Sequence, residues 1–225
     1  MIIRWLGKCC FLLQDSLGRR ILTDPFDITP IDNLLSLNPK LITISHKHIT
    51  LLSRSLEDNS ASIIESPGEF SLDYATVYGY ECFHDKLDGI KRGYNNIYTI
   101  IFDNLKICHL GHLGHIPNNV ILNELHDIDV LFIPIGGHLT LNGVDAALLT
   151  KFIKPKMVIP MYYRTPFSSS YLDSPKVFIT SMKYVNNINS FSINTNDYSF
   201  DGSIKNQTLI LKEYNLNSIS KKIVK

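Results

Sequence analysis

His46 and His48 stand two residues apart, directly after the apolar run Leu41-Ile42-Thr43-Ile44. On an extended backbone, side chains i and i+2 share a face, so both imidazoles can converge on one ion. Six of the eight histidines fall in three compact places: His46 and His48, then His84, then His109, His112 and His115. Each place follows an expected strand, and strand ends carry the loops on which a rigid scaffold displays ligands. The plainer alternative is that a strand-end histidine is half-buried and hydrogen-bonded. That alternative suits a lone histidine better than a spaced pair with further imidazoles downstream, because histidine is the commonest metal ligand. Beyond His48 the chain offers Thr50 and Leu51. A leucine cannot bind a metal, and a threonine hydroxyl is a poor substitute for a carboxylate beside a dication.

The elements that must position these residues are short strands separated by turn signals. Ile2 to Leu6, Cys9 to Gln14 and Arg20 to Thr23 read as a strand and a hairpin, with Asp15-Ser16-Leu17-Gly18 at the turn. Strands are also expected over Leu41 to Ser45, Ser62 to Ile64, Ala75 to Phe83, Asn96 to Asp103 and Leu105 to His109, with Asp103-Asn104 as a tight turn. Val130 to Pro134 and Met157 to Pro160 are continuous apolar runs of the kind buried on both faces. Helical periodicity is weaker, over Asn118 to Leu125 and Gly143 to Phe152, the second ending before Lys154-Pro155. Asn186 to Asn206 is rich in Asn and Ser, and Thr208 to Leu211 reads as a last strand. A β-rich first half followed by β-α-β units predicts an α/β sheet sandwich covered by helices. No repeat and no linker divides the chain, so residues 1–225 are expected to form a single domain.

Composition narrows the partners. The chain has 225 residues, 44% hydrophobic and 19% charged, with a formal charge of +1. That balance offers no surface for nucleic acid or an acidic membrane. No apolar run approaches the roughly 20 residues needed to cross a bilayer. Cys9, Cys10, Cys82 and Cys108 lie in apolar, strand-like contexts without regular spacing, and adjacent Cys9 and Cys10 point to opposite faces of a strand. Buried reduced thiols and a cytoplasmic location are expected. A small-molecule ligand or a protein partner, and a homo-oligomer, all stay open.

The ordered motifs resemble a known family. Trp5-Leu6-Gly7 with Phe11-Leu12-Leu13, then Ile21-Leu22-Thr23-Asp24-Pro25-Phe26, resemble the opening of the metallo-β-lactamase superfamily. The most similar branch is that of metal-dependent hydrolases which includes ascorbate-6-phosphate lactonases. Ser45-His46-Lys47-His48 resembles its metal loop, and Ser66-Pro67-Gly68-Glu69-Phe70 the turn after it. Phe83-His84-Asp85 with Arg92-Gly93-Tyr94-Asn95-Asn96 resembles the segment that supplies a third histidine. His109-Leu110-Gly111-His112-Leu113-Gly114-His115 resembles H-L-G-D-L-G-H, Asp129 to Gly137 resembles D-V-L-x-x-P-V-G-G, and Pro160 to Pro166 resembles P-M-H-Y-K-T-P. The resemblance implies an αββα sandwich, two facing mixed sheets flanked by helices, with metals in loops along one edge.

It also implies a three-histidine site, His46, His48 and His84, and a second site whose ligands have changed. The family's Asp and His after the first pair are Thr50 and Leu51, its bridging Asp is His112, and the histidine of P-M-H-Y is Tyr162. In W-L-G-H, the histidine is Lys8. Two lost carboxylates remove about two negative charges that would offset a second dication, which makes a second metal implausible. One divalent metal, zinc first, fits three neutral imidazoles plus water. His112 either joins that ion as a fourth imidazole, or points away as a base or anion contact beside the Tyr162 phenol. In a metal-free pocket, His46, His48, His84 and His112 would instead form a hydrogen-bonded polar cluster. Asp24, Asp85 and His109 are candidates for a supporting role, Asp85 equally as a turn residue, and Cys82 and Cys108 are expected in the core. The expectation is a metallo-β-lactamase-fold protein with a degenerate second metal site, a pseudoenzyme or binding and assembly protein. The alternative is a hydrolase of a small ester, lactone or phosphoester using one Zn, Mn or Fe.

Overall fold

A computed structural model describes residues 1–25, 31–46, 60–138, 140–168, 170–203 and 205–214. The chain opens with β1 (Ile2–Gly7), β2 (Cys10–Gln14) and β3 (Arg20–Thr23), then α1 (Ile31–Leu35), β4 (Leu41–Thr43) and β5 (Ser62–Ile64). A meander follows: β6 (Gly68–Leu72), β7 (Ala75–Phe83), β8 (Tyr94–Phe102) and β9 (Leu105–His109). Then come α2 (Asn119–Glu124), β10 (Val130–Pro134), α3 (Gly143–Ile153), β11 (Met157–Met161), α4 (Lys176–Ser181), β12 (Val185–Asn187), β13 (Ser192–Asn194) and β14 (Gln207–Ile210).

Two mixed sheets result. One has the order β13-β1-β2-β3-β4-β5, the other β12-β14-β11-β10-β9-β8-β7-β6. In the first, β1, β2 and β3 run antiparallel and β3, β4 and β5 parallel. In the second, β6 to β9 form an antiparallel meander and β9, β10, β11, β14 and β12 run parallel.

Period-two alternation sorts the first sheet's side chains between two apolar layers. Ile3, Trp5, Cys9, Phe11, Leu13, Ile21 and Leu41 face the second sheet and share a core with Val77, Tyr98, Ile100, Phe132 and others. Leu6, Cys10, Leu12, Leu22 and Ile42 face the other way, onto Leu34 and Leu37 at and just beyond α1. Cys9 and Cys10 therefore lie on opposite faces, as the alternation predicts, and all four cysteines are buried and free. β10 and β11 are buried at every position, the expected state of parallel strands covered on both faces. Over α3, Ala146, Leu149 and Ile153 reach the core.

Turn chemistry explains the corners. Asp103 and Asn104 both take positive φ, 51° and 61°, the conformation a two-residue hairpin with the sheet's own twist requires. Asp15 closes the other hairpin by accepting bonds from the Leu17 and Arg19 N–H groups. Asn142 caps α3 through the N–H groups of Val144 and Asp145. The strand expected over 41–45 stops at Thr43, because Ser45 turns its backbone away from the ladder. Five helices and strands are absent from the sequence reading: α1, α4 and the strands β6, β12 and β13. The Asn- and Ser-rich segment holds the short strand β13, with β12 at its start. No helix among the described residues is long and apolar enough to cross a membrane.

Between the sheets Phe11 stacks on Phe132, with ring centroids 4.0 Å apart and both rings fully buried. Replacing Phe132 with alanine is expected to lower unfolding free energy by about 3–5 kcal/mol. Urea unfolding of the two proteins, compared at equal slope, measures it.

Candidate functional site

Strand direction brings the chemistry to one edge. β7, β9, β10 and β11 run the same way, so residues that follow them emerge together: His84, His112 and Tyr162. In the facing sheet β3 and β4 end at that same edge, with Asp24, Ser45 and His46 next in the chain. β2 runs against β3, pairing Phe11 with Thr23, so Cys9 sits just before the start of β2 and beside Asp24.

Backbone bonds then lock the two sheet ends together. Ser45 O accepts from the Asn96 N–H at 2.6 Å, and the Tyr98 hydroxyl donates to Ile44 O at 3.0 Å. The Asp24 carboxylate accepts from the Ser45 N–H at 2.7 Å and from the Ser45 hydroxyl at 2.6 Å. That pair of bonds fixes the backbone on which His46 follows.

His46, His84 and His112 converge, with ligand-capable nitrogens all within 4.8 Å of one another. Ring centroids are 4.9 Å apart for His46 and His84, 4.1 Å for His46 and His112, and 5.3 Å for His84 and His112. His48, Thr50 and Leu51 lie outside the described residues. Of the expected three-histidine set, the structure thus brings His46 and His84 together and adds His112.

His112 is held from its backbone. Asn95 Oδ1 accepts its N–H at 2.7 Å, while Asn95 Nδ2 donates to Leu110 O at 3.0 Å. The intervening Gly111 has φ 58°, and a Cβ there would run into the Ser45 side chain and Asn95 Oδ1. Only glycine lets the loop come this close. Gly114 serves the next turn in the same way, against the His84 carbonyl and Asp85. The ring of His112 lies with Nε2 3.6 Å from Cys9 Sγ. Its Nδ1 is 3.4 Å from the Ser45 hydroxyl and 3.7 Å from Asp24 Oδ2. Tyr162, at φ 51°, sets its ring edge-on at 4.9 Å from the imidazole. Burial pushes the Cys9 thiol well above its ordinary pKa, and the Asp24 charge adds to the effect.

The supporting residues sort themselves. His109 is fully buried; its Nε2 lies 2.8 Å from Cys9 O and its Nδ1 accepts from the Gly111 N–H. Burial lowers its pKa, against the raising effects of Asp24 and the bond to Cys9. The neutral ring thus positions both Cys9 and the His112 loop. Asp85, open between two roles, is given the turn role by its hydrogen bonds: it accepts from the N–H groups of Leu87, Gly89, Lys91 and Arg92. His115 accepts from the Phe83 N–H just before His84. Cys82 and Cys108 are core residues. Cys9, Ser45 and Asn95 are the participants the motif reading passed over. For Cys9, the signal was alternation, which places it on the inner face next to Asp24.

A cavity of about 430 Å³ opens beside His46, lined also by Ser45, Glu65, Glu81, Arg92 and Tyr94. Arg92 lines a second cavity of about 310 Å³, with Lys86, Lys91 and His138.

The family model described as Beta-lactamase superfamily domain matches residues 2–162. The chain belongs to the β-lactamase superfamily. Its superfamily relatives include a UPF0173 metal-dependent hydrolase of Natranaerobius thermophilus, 26% identical over 190 residues, which are 73% of this chain and 84% of that one. Another, from Thermococcus kodakarensis, is 28% identical over 199 residues, 72% of this chain and 84% of the relative. A superfamily structure from Thermotoga maritima superposes with TM-score 0.74 at 25% identity, covering 95% of this chain and 99% of its own. The superfamily fold is thereby shown.

Two outcomes test the supports. Asn95→Ala leaves the buried His112 N–H without its acceptor, and is expected to cost about 1–3 kcal/mol of stability, read by denaturant unfolding. For Asp85, burial raises the carboxyl pKa, but its four backbone donors outweigh that and hold it below the ordinary range. A depressed carboxylate stabilises its loop fully above the unfolded value of about 3.9 and loses that contribution as pH falls through the folded one. Amide exchange protection at Leu87, Lys91 and Arg92 should stay flat from neutral pH to about 4 and fall below it.

Proposed function

We propose that this protein is a metal-dependent hydrolase that works with a divalent ion held by His46, His84 and His112, on a small ester, lactone or phosphoester. The convergence of three imidazole nitrogens within 4.8 Å carries the reading. The donor set fits the group: neutral imidazoles suit zinc, iron and related ions, and three of them leave a position for water in a four-coordinate site. The ion, when bound, supplies Lewis acidity toward a carbonyl or phosphoryl oxygen and makes water a nucleophile near neutral pH.

The chain's own residues do the rest. Asp24 orients Ser45, and through it the backbone that carries His46. Asn95 holds the His112 loop. The cavity beside His46 admits a small substrate, and the Arg92 guanidinium on its wall suits a carboxylate or phosphate. The Tyr162 phenol, packed on His112, is a hydrogen-bond donor at the position where the resemblance implies a second-metal histidine. The metal-dependent hydrolases of Natranaerobius and Thermococcus support the reaction class.

A second reading, a non-catalytic binding protein, is favoured by the packing of Tyr162 and Cys9 around His112, which gives a polar cluster that needs no turnover. One experiment separates the two. Metal-stripped protein reloaded with zinc, manganese or iron is assayed on ester, lactone and phosphoester panels. The hydrolase reading expects metal-dependent turnover, and His84→Ala should reduce it by more than the roughly 10–100-fold that loss of an outer partner brings. Turnover absent with all three metals in a protein that binds them refutes it and leaves the binding reading.

A further inference from the structure

The cavity of about 310 Å³ beyond the ends of β7 and β10 has none of the clustered imidazoles on its wall. It is lined instead by four side chains that carry or can take positive charge: Lys86, Lys91, Arg92 and His138. Of its lining residues, only Arg92 also faces the cavity beside His46. Lys86 is already paired with the Asp145 carboxylate. Lys91 and Arg92 have no ion-pair partner among the described residues. Asp85, the acid on this wall, has each oxygen committed to two backbone N–H groups. Two uncompensated cations thus remain in a concavity, whose low-dielectric walls focus their field on a small anion.

We propose that this cavity is an anion-binding site for a phosphate group, free or carried on a small molecule, held by Lys91 and Arg92 from one loop and His138 from another. The chemistry matches side chain by side chain. A guanidinium presents a fork of N–H donors to two phosphate oxygens, and an ammonium adds a point charge. An imidazole offers an N–H in either charge state. The volume lies in the range of small-ligand pockets, so it holds a carrier as well as the phosphate itself. Binding here needs neither a metal nor hydrolysis, and the site stands apart from the proposed reaction.

The donors are mounted on fixed backbone. Asp85 Oδ2 accepts from the N–H groups of Lys91 and Arg92 at 3.0 and 2.8 Å, which sets where these two side chains start. On the other loop, His138 takes φ 54° directly after Gly137 at φ 61°, a region that histidine enters more readily than most residues. That turn is closed by the Gly137 N–H on Leu141 O and the Thr140 N–H on Gly137 O. The His138 ring lies against Tyr171, with centroids 5.2 Å apart. The Lys86–Asp145 pair already ties the loop after β7 to the start of α3. A phosphate between Arg92 and His138 adds a second tie. His84 opens the first of these loops, so an occupied site also steadies one imidazole of the cluster.

The test uses the whole chain, stripped of metal so that no bound ion can hold the phosphate. Inorganic phosphate and a sugar phosphate are each titrated by calorimetry at fixed low ionic strength. One equivalent per chain is expected to bind, and to raise the melting temperature in proportion to its occupancy. Lys91→Ala and Arg92→Ala should each weaken binding by about tenfold, the scale of one lost charge-assisted contact. Both side chains are exposed, so these variants keep the fold, which circular dichroism checks. His46→Ala, and Lys106→Ala at the opposite end of β9, should bind as the unmodified protein does. Tighter binding of the sugar phosphate assigns the site to a phosphorylated small molecule, and equal or tighter binding of inorganic phosphate assigns it to the free ion. Binding of neither, or a loss with His46→Ala or Lys106→Ala as large as that with Arg92→Ala, overturns the proposal. The hydrolase reading is decided separately, by metal-dependent turnover.

Discussion

Asp24 leaves β3 with φ 38°, in the left-handed region, and from there its carboxylate takes both the N–H and the hydroxyl of Ser45 at the end of β4. A non-glycine residue in that region costs of order 1–3 kcal/mol, and aspartate is among the few that tolerate it. Charge-assisted bonds of 2.6–2.7 Å at a buried position offset that cost. The consequence reaches beyond two strands. With Ser45 turned out of its ladder, its carbonyl meets Asn96 of the facing sheet and its side chain meets His112. His46 is the next residue. The geometry of the imidazole cluster thus depends on one carboxylate that need not touch a metal to matter.

The rest of the edge follows from strand direction. Because β7, β9 and β11 run the same way, His84, His112 and Tyr162 emerge side by side although they are far apart in sequence. The aromatic stack of Phe11 on Phe132 and the buried Tyr98 keep the sheets in register beneath them. Loops mounted on such a platform can exchange residue types at little cost to the core. Packing energy resides in the alternating interior faces, while the ligand positions lie beyond the strand ends.

That separation also explains what was legible in the chain. The strands at Arg20–Thr23, Ala75–Phe83, Leu105–His109 and Val130–Pro134 could be read to the residue, because each has a clear alternation or a continuous apolar run ended by turn residues. α1 and α4 span only five and six residues, too short for helical periodicity to show. β12 and β13 are three-residue strands in a polar segment, held by pairing with β14 and β1 rather than by any pattern of their own. At the site, spaced histidines revealed His46, and ordered motifs revealed His84 and His112. Asp85 stayed ambiguous because a carboxylate after a ligand histidine suits either an imidazole partner or a loop cap, and only the four backbone donors decide. Cys9 was hidden for a different reason: an apolar-looking cysteine in a strand reads as core, and only the facing sheet shows what it meets.

Comparing motifs position by position treats His112 as a loss, since the resemblance puts a carboxylate there. Donor atoms give a different account. The imidazole keeps a donor atom at that place and removes one negative charge, and its two nitrogens reach partners on two sides. The ring is also larger than a carboxylate, so the space around it must be filled by compatible neighbours. Cys9 on one side and Tyr162 on another supply that packing. Replacing one of these three alone would leave either a gap or a buried donor without its partner, at about 1–3 kcal/mol for the unsatisfied group. The changes at this edge are therefore physically coupled through His112, and its neighbours can be understood only as a set.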